Sequence, residues 1–170
     1  PALAPGTYGT ISTSQLEPGK VRASARYRRW DGNRRSVTAT GATEPAARRL
    51  LVGRIWQLLQ VERALDGVSG ASPFGEVAEA WLFELRTGGT SDDARANVEH
   101  MLRQFVLPTL HRVPIDEITA ESLEPFLARA FSVSADRGRL TSGILEMVMD
   151  FAARNGVVSV NPMVEVLGRR

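Results

Sequence analysis

The spacing of apolar residues changes once along this chain, and that change limits what the chain can fold into. Residues 21–28 (VRASARYR) and 35–40 (RSVTAT) alternate apolar and polar side chains, which is the period of a strand with one buried face. After Gly41 the apolar residues recur every three or four positions, which is the period of an amphipathic helix. The sequence therefore predicts a small antiparallel sheet at the start of the chain and helices in the rest.

The two alternating segments are predicted to form a hairpin around residues 30–33 (WDGN), a strong turn sequence. A two-residue turn would pair Arg26 with Val37 and mix the two faces, whereas a three-residue loop pairs Tyr27 with Val37 and keeps the faces apart. We prefer the second register, since a slip of one residue would expose the buried set. It places two sets of side chains on opposite faces: Val21, Ala23, Ala25, Tyr27, Val37 and Ala39 on one, and Arg22, Arg26, Arg28, Arg34, Ser36 and Thr38 on the other.

One more strand and one helix complete the predicted first domain. A weaker pattern indicates a strand over about residues 9–13, and Thr43 is a typical N-cap for a helix that runs to about Ala64. One side of this helix is apolar: Ala47, Leu51, Ile55, Leu58 and Leu59. We expect the helix to cover the apolar face of a three-stranded sheet and to leave the arginine face free. The predicted fold class of this domain is α+β.

A flexible segment, residues 66–72 (DGVSGAS), separates the two kinds of periodicity and is predicted to be a linker. The alternative is a loop inside a single domain. The charge distribution favours a linker, because residues 1–63 carry eleven basic and four acidic side chains, whereas residues 64–170 carry ten and fifteen. The net charge of +2 thus combines a basic part of +7 with an acidic part of −5. The predicted domains are residues 1–65 and 73–170.

Four amphipathic helices are predicted in residues 73–170, which makes this domain an all-α bundle. Their start signals are Ser72, Ser91, Thr119 and Ser134, and their end signals are Gly88 with Gly89, Pro108 and Gly156. The face of the fourth helix that is predicted to point inward carries Leu140, Ile144, Met147, Val148 and Phe151.

The composition excludes several functional classes. A hydrophobic fraction of 43% is enough for a packed core, and the absence of cysteine removes disulfides, thiolate nucleophiles and Cys-based zinc sites. No apolar run reaches the ~18 residues that cross a bilayer, so we expect a soluble, cytoplasmic protein. The two histidines, His100 and His111, lack the spacing of a metal site. No catalytic residue, metal or cofactor is predicted.

The arginine face of the predicted sheet is the feature that indicates a partner. A two- or three-stranded sheet fits the major groove of DNA, and arginine makes bidentate contacts with guanine and phosphate. On this interpretation Arg22, Arg26, Arg28 and Arg34 face the duplex, with Ser36 and Thr38 as smaller donors. A solvated basic face without a ligand is the alternative.

Two groups of motifs resemble the phage and actinobacterial tyrosine integrases, which are site-specific tyrosine recombinases. Residues 25–35 (ARYRRWDGNRR) and 41–43 (GAT), followed by a helix, are similar to the N-terminal arm-binding domain of that family. Residues 105–108 (FVLP), 115–119 (IDEIT) and 151–162 (FAARNGVVSVNP) are similar to its core-binding, SAM-like domain. Both groups occur in the family's order and together span most of the chain.

The resemblance implies double-stranded DNA as the partner, with the sheet on arm-type attachment sites and the helical domain on core-type sites. For the helical domain it suggests contacts with core-site phosphates from Arg95, Arg103, Arg137, Arg139, Thr141 and Ser142. It also implies that the full-length protein, encoded by a phage or its bacterial host, assembles as an oligomer on DNA without a membrane partner.

The family's tyrosine nucleophile and catalytic domain are not expected in this sequence, since no tyrosine follows Tyr27. We therefore predict a noncatalytic DNA-binding portion of a parent tyrosine recombinase. Two alternatives stay open: a stand-alone small DNA-binding regulator, and a helical protein-interaction module whose basic hairpin only aids solubility.

Overall fold

The structure is a computed structural model that describes residues 2–87 and 90–168, apart from the side chain of Thr87. The chain divides into two compact units, Pro1–Ala64 and Leu65–Arg170. The first combines a three-stranded antiparallel sheet with one helix, and the second is helical, so the predicted fold class is confirmed. Within the described residues, no helix has the length and apolar character needed to cross a membrane.

The sheet of the first unit has the order β1 (Ser12–Glu17), β2 (Lys20–Arg28) and β3 (Arg34–Gly41). The first strand lies later in the chain than the predicted strand over about residues 9–13. The residues before it still bond along the edge of β2, since Gly9 N donates to Arg26 O at 2.9 Å and Tyr8 forms a bridge with Tyr27. The weak N-terminal pattern therefore marks an edge segment that extends the sheet beyond its regular strand.

The predicted hairpin register is wrong by two residues. Val37 pairs with Ala25 rather than with Tyr27, and Tyr27 pairs with Arg35. A five-residue loop, residues 29–33, joins β2 and β3, in place of both turns considered from the sequence. Because a shift of two residues preserves the alternation, each side chain keeps its predicted face. Five of the six residues predicted to be buried are buried: Val21, Ala23, Ala25, Tyr27 and Val37.

Contacts between the hairpin loop and the following helix explain the longer loop. The Arg29 guanidinium forms an ion pair with Glu62, and the Trp30 indole Nε1 donates to Leu59 O at 3.2 Å. The Trp30 ring also lies over Gly6, where a Cβ would come within 2.3 Å of the ring. These contacts attach Trp30 and the Arg29 side chain to other parts of the unit, while Arg29 N still donates to Asn33 O across the loop at 2.8 Å. None of the side-chain contacts is visible in the turn sequence itself.

One long helix, α1 (Glu44–Ala64), covers the apolar face of the sheet, as predicted. Thr43 caps it, with Ala46 N donating to Thr43 Oγ1 at 3.4 Å. A Cβ at Gly41 would lie 2.6 Å from Ala47 N, so this glycine lets the helix start directly against the end of β3. The inward side of α1 and the sheet share one core: Val21, Ala23, Ala25, Tyr27, Val37, Ala47, Leu51, Ile55 and Leu59.

The second unit contains the helices α2 (Phe74–Thr87), α3 (Asp92–Met101), α4 (Leu107–Leu110), α5 (Ala120–Val133), α6 (Ala135–Arg154) and α7 (Met163–Gly168). Three predicted helix starts are confirmed, since Ser91, Thr119 and Ser134 each accept a hydrogen bond from a backbone N–H in the first turn. The predicted end signal at residues 88–89 lies outside the described residues.

The predicted end of the second helix at Pro108 is wrong. A π-helical segment (Leu102–Val106) follows α3, and α4 continues the helix to Leu110. Leu107 N donates to Leu102 O, five residues back, so the bonding pattern has already shifted when the chain reaches the proline. Pro108 then lies at the start of α4, where a missing N–H is tolerated.

The short helix α7 was not among the four predicted helices. Asn161 fixes its start, because Asn161 Oδ1 accepts from Met163 N at 2.9 Å. The same side chain donates from Nδ2 to Asp150 Oδ1 at 2.6 Å and to Glu146 O at 3.3 Å. A buried asparagine thus fastens the beginning of α7 to α6.

The predicted inward face of α6 needs correction. Three of its five residues are buried, but Leu140 and Met147 are 43% and 41% exposed. Small residues take the inner positions near the start of the helix, among them Gly138 and Thr141. A Cβ at Gly138 would lie 2.2 Å from the Phe131 ring of α5, so the small residues allow α5 and α6 to pack closely.

The predicted linker, residues 66–72, belongs to the second unit. Gly70 O accepts from Asp116 N at 2.9 Å, and Ser72 O accepts from Ile115 N at 3.0 Å. The later part of this segment is therefore hydrogen-bonded to the short 3₁₀ turn Ile115–Glu117.

Candidate nucleic-acid interface

The outer face of the sheet brings together five of the six predicted first-unit residues. Arg22, Arg26, Arg34, Ser36 and Thr38 all point away from α1 and are exposed. We call this set the arginine face. None of its three arginines forms an ion pair or a side-chain hydrogen bond with another described residue. Their donors are therefore available to a ligand.

The arginine face has dimensions that suit a DNA groove. Residues four apart on one strand, such as Arg22 and Arg26, lie about 13 Å apart, and neighbouring strands lie about 4.8 Å apart. The major groove of B-DNA is about 12 Å wide and admits a small sheet. Guanidinium groups spaced in this way can contact phosphates at the groove border and base edges inside it.

A concavity of about 620 Å³ lies on this face beside Arg26 and Arg34. Hydroxyl-bearing residues that were not predicted, Thr10, Ser12 and Ser24, also line it. Ser12 pairs with Ser24 across β1 and β2, and their Oγ atoms lie 2.9 Å apart. The alternation of β2 already indicates Ser24 on the outer face. Ser12 could be indicated only with the correct position of β1, because its pairing with Ser24 places it there.

Arg28, the fourth predicted arginine, has a different role. Its Nε donates to Gly32 O and its Nη1 donates to Leu3 O, both at 2.9 Å. The Arg28 backbone is bonded as well, with Gly6 N donating to Arg28 O and Arg28 N donating to Thr7 O, both at 2.8 Å. Arg28, which was predicted to face the duplex with the other three arginines, thus joins the N-terminal segment to the hairpin loop, and its guanidinium donors are engaged within the unit.

Two titratable groups of the first unit have shifted pKa values. The Asn33 backbone N–H donates to Asp31 Oδ1 at 2.8 Å and holds the pKa of that carboxyl below its ordinary value. Burial in the core raises the pKa of Tyr27 above its ordinary value, partly offset by the nearby charge of Arg29.

Three of the second-unit arginines that were predicted to contact DNA form ion pairs with carboxylates. The ion pairs are Arg95–Asp92, Arg103–Glu79, Arg103–Glu99 and Arg139–Asp136. The hydrogen bonds that Arg103 donates, first to Glu79 and then to Glu99, raise the pKa of its guanidinium. Two carboxylates around one guanidinium leave a local net negative charge, so Arg103 is a poor phosphate contact in this arrangement.

Thr141 and Ser142, which were predicted to contact DNA, lie on the buried side of α6. They are only 1% and 7% exposed, and neither side-chain oxygen has a hydrogen-bond partner in the described part of the chain. The sequence grouped them with Arg139 because they follow it closely in the same helix. The inner side of α6 carries both hydroxyls, whereas Arg139 is exposed.

Arg137 is the predicted second-unit arginine without a carboxylate. Its guanidinium lies 4.4 Å from the centre of the Phe105 ring. It lines a cavity of about 210 Å³ together with Arg129, an exposed arginine of α5 that was not predicted. The spacing of Phe126, Arg129 and Val133 on one side of α5 is the only sequence signal that could have placed Arg129 near this cavity.

Among the described residues, no three His, Asp or Glu side chains are grouped in a way that could hold a metal ion. His111 packs against Gly75, where a Cβ would lie 2.1 Å from His111 Nδ1. His111 thus has a packing role beside α2.

Comparisons with known proteins identify relatives for most of the chain. The family model for the phage integrase central domain matches residues 74–169. The chain is 28% identical over 156 residues to the prophage integrase IntZ of Escherichia coli (strain K12), and the alignment covers 83% of this chain and 38% of that protein. The chain therefore spans little more than a third of the length of this curated relative. No solved structure matches this chain.

Proposed function

Because the chain belongs to the phage integrase family, we propose that it binds double-stranded attachment-site DNA as part of a tyrosine recombinase. On this proposal the arginine face contacts arm-type sites and the helical unit contacts core-type sites. Family membership also supports assembly of full-length copies on the DNA.

The observation that carries the proposal is the uncovered arginine face with its three unpaired guanidinium groups. Several arginines elsewhere in the same unit do have partners, as in the Arg29–Glu62 and Arg48–Glu44 ion pairs. Unpaired cations on one sheet face, in a part of the chain with a net charge of +7, favour an anionic groove over plain solvent.

We propose binding, rather than strand cleavage, as the contribution of these residues. The chain has two tyrosines, Tyr8 and Tyr27, and both belong to the sheet region of the first unit. Tyr27 is 7% exposed, and its raised pKa opposes formation of the phenolate that a nucleophile would use.

Binding of the full chain to DNA selected from a random duplex library tests the proposal. We expect Arg26→Gln and Arg34→Gln each to weaken binding about tenfold and to lower the dependence of log affinity on log salt by about one. Fluorescence anisotropy at several salt concentrations measures both quantities.

Arg49→Gln is the matched control for these variants. Arg49 is an exposed, unpaired arginine of α1, on the other side of the sheet, so the variant removes the same charge from a different surface. We expect it to bind within about twofold of the parent. Equal losses in all three variants would contradict the arginine face as the reader and would leave only a general charge effect.

A further inference from the structure

The acidic character of the second unit requires any DNA contact in it to be local. Residues 64–170 carry a net charge of −5, which repels a phosphate backbone at long range. Most described arginines of this unit are engaged, in the contacts Arg86–Leu82 O, Arg95–Asp92, Arg103–Glu79, Arg139–Asp136 and Arg154–Glu84. Among the described residues, no carboxylate pairs with Arg112, Arg129 or Arg137.

Two of these three arginines reach the same cavity. Arg129 comes from α5 and Arg137 from the first turns of α6. The cavity of about 210 Å³ is lined by Phe105, Thr109, Phe126, Arg129, Ala130, Val133, Arg137 and Thr141. No carboxylate lines it, whereas the concavity beside Arg112 contains Glu79. Arg129 and Arg137 therefore form a local positive site in an acidic unit.

The lining of this cavity indicates the kind of anion that fits. Arg137 stacks on the Phe105 ring at 4.4 Å, an arrangement that orients a guanidinium plane and leaves its edge donors available. Phe126 and Val133 add apolar surface, and Val133 is 63% exposed. Guanidinium groups beside apolar walls suit an oxyanion attached to an apolar body, as in a phosphate on a deoxyribose.

We propose that this cavity is a phosphate site in which Arg129 and Arg137 hold one backbone phosphodiester of bound DNA. The site rests on the proposed function, since it assumes that the second unit contacts DNA. Of the arginines of this unit that were predicted to contact DNA phosphates, the proposal keeps Arg137, and it adds Arg129, which was not predicted. A free phosphate or a nucleotide shares the same chemistry, so the test must separate these sources.

The test uses the full chain in which Arg22→Gln, Arg26→Gln and Arg34→Gln remove the arginine face. In this background we expect Arg129→Gln to weaken the residual binding of a labelled duplex at low salt about fivefold to tenfold. Arg112→Gln removes an unpaired arginine away from the cavity and is expected to change affinity less than about twofold. Equal effects of the two variants would overturn the proposal.

Amide chemical shifts of the unmutated full chain provide a second measurement. We expect added duplex to shift the signals of Phe105 and Ala130, and equal concentrations of inorganic phosphate or deoxynucleoside monophosphate to leave them unchanged. Shifts caused by the nucleotide but not by the duplex would overturn the DNA assignment. No shift with any of the three would overturn the site itself.

These measurements separate the two proposals. If the triple variant binds DNA as tightly as the parent, the arginine face fails, while the Arg129→Gln comparison still decides the cavity. Arg137→Lys provides a further check on fold, since it keeps the charge but loses the planar stack on Phe105. We expect it to retain the unfolding midpoint of the parent within a few degrees and to lose duplex affinity.

Discussion

At the scale of single residues, Arg26 and Arg28 show that neighbouring positions of one pattern can have different roles. Both lie on β2 with the same alternation, but Arg26 is unpaired whereas Arg28 donates to Leu3 O and Gly32 O. The alternation does not distinguish them, because Arg28 is engaged by a turn residue, Gly32, and by Leu3, which lies 25 residues earlier in the chain.

This difference predicts opposite effects of two equal substitutions. Arg28→Gln should lower the free energy of unfolding of the first unit by about 1–3 kcal/mol, because two carbonyls lose a charged donor. Arg26→Gln should change it by less than about 0.5 kcal/mol, since no contact is lost. Urea unfolding followed by circular dichroism measures both, and a larger loss for Arg26→Gln would contradict the assignment.

The buried phenol of Tyr27 predicts a loss of stability in alkali. Its pKa is higher in the folded protein than in the unfolded chain, so the folded state binds the proton more tightly. This contribution is present below about pH 10 and is lost as the pH rises through the folded pKa. Unfolding free energies near pH 8 and near pH 11 should differ less for Tyr27→Phe than for the parent. Equal differences would show that another group controls alkaline unfolding.

The unpartnered hydroxyl of Thr141 predicts a stabilising substitution. Thr141 is 1% exposed, and its Oγ1 has no hydrogen-bond partner among the described residues. Thr141→Val keeps the shape of the side chain and removes the cost of burying that oxygen, so stability should rise by about 1 kcal/mol. A lower thermal midpoint for the variant would indicate a hydrogen bond that the structure does not show.

At the scale of elements, periodicity predicted which residues share a face but not how the elements end and pair. The predicted faces of β2 and β3 are correct despite the two-residue error in register, because a shift by an even number of residues leaves every side chain on the same face. The register itself depends on Arg29 and Trp30, which contact α1 some 30 residues later. Local turn chemistry cannot supply such a constraint.

For the candidate site too, the sequence indicated the face on which a residue lies but not the partners of its side chain. Alternation indicated the exposed arginines of the sheet, since exposure follows from the face. In the helical unit, whether an arginine is paired or unpaired depends on carboxylates from another turn or another helix, as the Arg103–Glu79 ion pair illustrates. Small polar residues such as Thr141 fit either side of a helix, so α6 could not be oriented from its sequence alone.

The close packing of α5 and α6 predicts opposite effects of two glycine substitutions in one helix. A Cβ at Gly138 would lie 2.2 Å from the Phe131 ring, so Gly138→Ala should destabilise the second unit by about 1–3 kcal/mol. Gly143 has nothing within 4 Å of the added atom, so Gly143→Ala should stabilise α6 by about 0.5–1 kcal/mol. Thermal unfolding compares the two, and effects of the same sign would contradict the packing.

At the scale of the whole molecule, the two units carry net charges of opposite sign. The net charge of +2 hides a basic part of +7 and an acidic part of −5. In the basic unit three unpaired arginines lie on one sheet face, whereas in the acidic unit half of the described arginines form ion pairs with carboxylates. A duplex is therefore expected to meet a broad contact surface on the first unit and a single local site on the second.

Chemical-shift mapping of the full chain with a selected DNA duplex tests the central claim most directly. The account predicts the largest amide shifts at Arg22, Arg26, Arg34, Ser36 and Thr38, with no comparable change on the outer side of α1 around Arg49 and Gly53. Shifts concentrated on α1, or an unchanged spectrum of β2 and β3 at saturating DNA, would contradict the arginine face as the DNA-contacting surface.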